Sequence, residues 1–220
     1  FCEPQFDYLK WENSEYLPTP TIVEAAQALY RGHNVHDITR NDAGAENLTI
    51  TTNEIDKIIE YSQQNHKKSI CFVTGVPGAG KPLVGLNIAI ERSNAQKGEH
   101  AVFLSGNYPL VTVLQEALAR DKIEQEKLRG NRLSKKDALR NTSAFIQIIH
   151  KYRDSFVGNS TVPPERVAIF DEAQRAWTHE MISKFMATKK GVPNFQYSEP
   201  EFLISTMDRH KDWAVIICLV

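Results

Sequence analysis

Residues 75 to 82 read Gly75-Val76-Pro77-Gly78-Ala79-Gly80-Lys81-Pro82. A glycine, four residues and then Gly-Lys is the spacing of a phosphate-binding loop. Its glycines let the backbone curl so that successive N–H groups point at phosphate oxygens. The helix that follows adds partial positive charge at its N-terminus. Lys81 brings a point charge for the β- and γ-phosphates of a nucleotide such as ATP. The bland alternative is a glycine turn that binds nothing. A second site candidate is Ile169-Phe170-Asp171-Glu172-Ala173-Gln174. There an apolar run ends in two carboxylates, as a buried strand would deliver them to its carboxyl end. Asp171 is the candidate Mg²⁺ holder. Glu172 is the candidate base for an attacking water, and Gln174 a candidate γ-phosphate sensor. Here the bland alternative is a strand followed by an acidic helix cap.

The loop departs from its pattern at one position. Pro82 stands where a Ser or Thr hydroxyl would hold Mg²⁺. Proline also has no N–H to offer a phosphate, and it disfavours the helical region for Lys81 before it. It is tolerated in the first turn of a helix, so the fold should survive. Loss of one preorganised donor typically costs about 3–4 kcal/mol, or about 10²–10³ in rate. The expectation is a nucleotide site with weakened Mg²⁺ binding and impaired hydrolysis.

These residues need a strand before each motif and a helix after the loop. Residues 69–74, Ser-Ile-Cys-Phe-Val-Thr, form a short apolar run that reads as a buried parallel strand. Leu83, Leu86 and Ile90, widened by Val84 and Ile88, recur at helical spacing after the loop. Further strands are expected at 101–104, 166–171 and 213–220. Phe145, Ile148, Ile149, Tyr152 and Phe156 predict one core-facing helix. Thr21-x-x-Glu24 and Thr51-x-x-Glu54 read as capping boxes that open two earlier helices. The stretch from His33 to Leu48 between them reads as a polar loop, its histidines solvated rather than metal-bound. Trp177, Met181, Phe185 and Met186 predict a helix packed on the sheet, and residues 199–210 another.

With the motifs in place, the chain resembles a known family. Asp171-Glu172-Ala173-Gln174-Arg175 resembles motif II of superfamily-1 helicases. The strings from Cys71 to Lys81, from Leu104 to Val111 and from Ile169 to Trp177 are similar to helicase-like bacterial ATPases related to the Schlafen helicase domain. The resemblance runs from about Pro18 to Val220. It implies a RecA-like P-loop fold, ATP with Mg²⁺ as ligands, and single-stranded nucleic acid as the partner of the full-length protein. In that family a threonine stands at the position of Pro82. The loop after the second strand would touch the nucleic acid, with Ser105, Asn107 and Tyr108 as candidate contacts. A strand-to-helix turn favours the same residue types.

The expected fold class is therefore α/β: a mostly parallel sheet with helices on both faces, preceded by a short helical segment. Residues 1–66 read as an N-terminal extension, and 67–220 as the RecA-like domain. Phe1 in place of Met, and an apolar strand at the end, read as a piece of a longer chain lacking a second RecA-like domain. The 220 residues are 41% hydrophobic and carry a net charge of −1, so no global nucleic-acid signature is present. Eight basic and four acidic residues lie between Arg120 and Arg140. They read as a solvated face, with a phosphate-tracking patch as the alternative. Cys2, Cys71 and Cys218 lack metal spacing and read as reduced thiols of a cytoplasmic protein. No run is long enough to span a membrane. An ATP-driven motor domain is the leading expectation; a nucleotide-binding switch or scaffold without turnover, of a kind used in defence, is the other.

Overall fold

The computed structural model describes residues 20–33, 42–76, 78–93 and 100–220, with backbone alone for 42–45. The expectations placed on the first 17 residues, on Cys2, His36 and Pro77 lie outside them. Five strands form one sheet: β1 (Lys68–Val73), β2 (Ala101–Ser105), β3 (Ile146–Ile148), β4 (Val167–Asp171) and β5 (Ala214–Leu219). Their order is β1-β5-β4-β2-β3, and every pair is parallel. This is the α/β architecture of a RecA-like domain, with the sheet wholly rather than mostly parallel.

The helices are α1 (Ile22–Tyr30), α2 (Asp42–Gln64), α3 (Lys81–Ser93), α4 (Tyr108–Leu128), α5 (Lys135–Phe145), α6 (Ile149–Phe156), α7 (His179–Lys189) and α8 (Glu199–Met207). They divide between two cores. On one face α1 to α5 pack against Phe103, Ile146, Ile169, Ile217 and Leu219. On the other α6, α7 and α8 pack against Leu104, Ala168, Phe170, Ile216 and Cys218. Consecutive strand residues thus bury opposite faces, as the period of two requires. The division follows the route of the chain. Outward crossovers from β1 to β3 use the first face, and return crossovers from β3 to β5 use the second, as right-handed connections demand.

Three sequence expectations are corrected. The helix predicted through Phe145 and Phe156 is interrupted by β3. Phe145 and Ile148 belong to the first core, while Ile149, Tyr152 and Phe156 belong to the second. Their spacing matched a helix, but no single stripe exists. The second early helix begins at Asp42, well before Thr51, whose hydroxyl bonds back to Asn47 O rather than capping. Leu48, read as the end of a loop, is buried on that helix. Finally, β1 is not a fully buried strand. It stands at the sheet edge, with Ile70 47% and Phe72 67% exposed, because no helix among the described residues covers its second face. The Thr21–Glu24 capping box is present as read, and α1 buries Ala25, Ala26 and Leu29.

One contact seats the helix that follows the glycine loop. A Cβ at Gly85 would lie 2.9 Å from both Ile169 Cγ2 and Leu219 Cδ1, and 3.1 Å from Phe103 Cε2. Helix α3 therefore lies against β2, β4 and β5 at a distance only glycine permits. Gly85→Ala should cost about 1–3 kcal/mol through overpacking. In urea titration this reads as a lower midpoint at an unchanged slope. An unchanged midpoint would mean that α3 is free to lift.

Candidate functional site

Strand β1 ends at Val73, and the chain turns through the loop into α3. Gly78 and Gly80 adopt φ of +82° and +79°, a region open to glycine and strained for other residues. Around Pro82 the helix closes early. Leu83 N and Val84 N both donate to Gly80 O, at 2.9 and 3.2 Å. Proline needs no partner there, since the first N–H groups of a helix have none within it. Lys81 is nevertheless the first helical residue, despite the extended preference expected before proline. The turn already closed on Gly80 O outweighs that preference.

The Lys81 ammonium lies back across the loop. It donates to Gly75 O at 2.5 Å and to Val76 O at 3.2 Å. Carbonyl oxygens of its own loop thus satisfy its charge. The loop is braced from outside by α2, since a Cβ at Gly80 would meet Leu48 Cδ2 at 3.0 Å. An ion pair between Arg92 and Asp56, at 2.7 Å, ties α3 to α2 farther along.

The acidic pair leaves β4 at the same edge of the sheet. Asp171 is the last residue of β4 and is buried at 3% exposure. Burial pushes its carboxyl above the usual aspartate range, while a hydrogen bond from the Ser105 hydroxyl pulls the other way. That bond, Ser105 Oγ to Asp171 Oδ2, is 3.0 Å long. Glu172 follows in the left-handed region at φ +53°. Such backbone costs about 1–3 kcal/mol for a non-glycine residue and tends to gather at functional sites. Its carboxylate accepts from Gln174 Nε2 at 2.6 Å and faces Arg175 Nε at 3.2 Å. Gln174, read as a phosphate sensor, here holds Glu172.

The turn after Glu172 is anchored at its far end by α8. Glu199 N donates to Trp177 O at 3.0 Å, and Trp177 N donates to Glu199 Oε2 at 3.1 Å. The other Glu199 oxygen faces His150 at 3.1 Å and the buried Arg153 guanidinium at 3.7 Å. Arg153 also lies over the rings of Trp177 and Phe185. The segment carrying Glu172 and Gln174 is therefore fixed by β4 on one side and by a buried ion pair on the other. Nothing in the local sequence marks Arg153 or Glu199 for this.

The three residues expected to touch nucleic acid separate. Ser105 is fully buried, with its hydroxyl on Asp171. Asn107 caps α4 by accepting from Leu110 N at 3.2 Å. Tyr108 is 58% exposed beside it. In the basic stretch Arg120, Lys122, Arg129, Lys135 and Arg140 are in ion pairs with Glu116, Glu126 and Asp137. Pairing of this kind belongs to a solvated face. Arg120, where that stretch begins, lies on the same helix as Tyr108, about 18 Å along its axis.

A family model, Schlafen group 3, DNA/RNA helicase domain, matches residues 68–220, from the first residue of β1 through β5. The chain belongs to this family. No curated protein and no solved structure matches the chain. All five strands, the glycine loop and the acidic pair lie within the Schlafen helicase match; α1 and α2 precede it yet share its first core. Among the described residues no three His, Cys, Asp or Glu side chains gather as a metal site. A cation beside Asp171 would need phosphate oxygens and water for its remaining positions, which suits Mg²⁺.

The raised Asp171 pKa has a testable sign. A carboxyl whose folded pKa exceeds its unfolded value of about 3.9 stabilises fully below that value and loses this as pH rises through the folded pKa. Asp171→Asn removes the buried charge and should gain on the unmodified chain as pH climbs. Thermal melts without added metal should show the variant-minus-parent difference in Tm growing as pH rises above about 4. A flat difference would contradict the burial argument.

Proposed function

We propose that the chain binds ATP at Gly75–Pro82 and serves as the first motor domain of a helicase-like, nucleic-acid-dependent ATPase. The observation that supports this best is a shared edge. Strands β1 and β4, separated only by β5, run parallel and carry the glycine loop and Asp171-Glu172 to the same end of the sheet. Lys81 exchanges its Gly75 and Val76 carbonyls for phosphate oxygens on binding. Gly75, Val76, Gly78, Ala79 and Gly80 offer backbone N–H groups to the phosphates, while Pro77, which has no N–H, can only shape the loop. Asp171 holds Mg²⁺, which shields phosphate charge when bound. Glu172 takes the proton of the attacking water, with Gln174 and Arg175 setting its direction. Asn107 and Tyr108 offer an amide and a stacking ring to a single strand. A second RecA-like domain would complete the nucleic-acid groove.

Pro82 supports slow turnover, because the loop has lost a metal-binding hydroxyl and a phosphate donor together. The same feature favours a second reading, a nucleotide-dependent switch or scaffold without turnover, of a kind suited to defence. Free thiols at Cys71 and Cys218 fit work in a reducing, cytoplasmic compartment. No helix among the described residues is long and apolar enough to cross a membrane.

Turnover of Pro82→Thr separates these readings. Mg²⁺-dependent ATP hydrolysis should rise on the order of 10²-fold over the unmodified chain. Further stimulation by single-stranded DNA or RNA is expected of a motor, and its absence favours the switch. No rise at all would mean that position 82 does not limit the chemistry.

A further inference from the structure

Ser105 and Asp171 face each other as the last paired residues of β2 and β4. Both are buried, Ser105 completely. The Ser105 hydroxyl has one proton, and it goes to Asp171 Oδ2 at 3.0 Å. Ser105 Oγ in turn accepts from Asn107 N–H at 3.2 Å. This second bond fixes the hydroxyl rotor and points its proton at the carboxylate. Oδ2 is engaged by the Ser105 hydroxyl, and the Glu172 backbone also bonds the carboxylate; among the described residues Ser105 is its side-chain donor. Since its hydroxyl is enclosed, Ser105 cannot itself replace the ligand that Pro82 fails to supply. It acts through Asp171.

We propose that Ser105 is a positioning residue for the metal-holding carboxylate: its hydroxyl fixes the rotamer in which Asp171 holds Mg²⁺. The inference rests on the nucleotide reading of the site given above. A chain whose loop has no metal-binding hydroxyl depends all the more on the orientation of the one carboxylate that remains. The bond from Asn107 N–H also links that orientation to the turn carrying the exposed Tyr108.

The test is calorimetric titration of a non-hydrolysable ATP analogue with and without Mg²⁺, on the unmodified chain, Ser105→Ala and Ser105→Thr. Each protein yields a Mg²⁺ gain, the ratio of its two affinities. Loss of a group that orients a metal ligand typically costs about 10–100-fold in metal affinity, so Ser105→Ala should lose at least about tenfold of the gain. Its affinity without Mg²⁺ should stay within about twofold, and Ser105→Thr, which keeps a hydroxyl, should retain the gain. The proposal is overturned if Ser105→Ala keeps the full gain, or if its Mg²⁺-free affinity falls in parallel, which marks a merely structural role. It is also overturned if Ser105→Thr behaves as Ser105→Ala does. A missing gain in the unmodified chain removes Asp171 as metal holder and this inference with it. That failure shows before any substitution is made.

Discussion

The candidate site depends on one constraint: all five strands of the sheet run the same way. Parallel strands send all their carboxyl ends to a single edge, and only there do the connecting loops of different strands meet. The order β1-β5-β4-β2-β3 adds a reversal. The chain leaves β2 toward the first face and leaves β4 toward the second, although the two strands are neighbours. Loops that part to opposite faces open a crevice between them, and ligands of open α/β sheets bind at such switch points. Ser105 and Asp171 are the paired ends of β2 and β4 at that switch point.

The edge is assembled at a cost that the interior offsets. Asp171 carries a carboxyl that burial disfavours, and Glu172 sits in strained backbone. Neither would persist in an isolated segment. Asp171 is held by pairing of β4 with β2 and by the Ser105 hydroxyl. The Glu172 turn is held by Glu199 and Arg153 beneath Trp177. Buried ion pairs add little net stability, but losing one partner is expensive, so they fix geometry well. The glycine loop is treated in the same way. Gly85 lets α3 lie close on the sheet, Leu48 backs Gly80, and the Lys81 charge is satisfied by its own loop.

Much of this architecture was legible from sequence because local signals agreed with one another. The glycine loop follows an apolar run and precedes a 3.6-period stripe, and the Asp171-Glu172 pair ends a run too apolar for a loop. What escaped depends on partners far away in the chain. Strand β3 has three residues, and its apolar neighbours fall at helical spacing while serving two different cores. Leu48 is buried early in α2, and its partner Gly80 lies on another element. Strand β1 has the composition of a buried strand, yet its exposure is set by sheet order, which composition does not carry. Ser105 was read as part of an exposed turn. Its burial follows from the register of β2 on β4, fixed only when the sheet assembles.

The central claim is that the loop after β1 and the carboxylates after β4 form one nucleotide site. A crystal structure of the chain with a non-hydrolysable ATP analogue and Mg²⁺ tests it most directly. The account predicts phosphates on the Gly75–Pro82 loop, the Lys81 ammonium moved from Gly75 and Val76 onto them, and Mg²⁺ next to Asp171. Lys81 still bonded to its own carbonyls, with the nucleotide elsewhere or absent at saturating concentration, would contradict it.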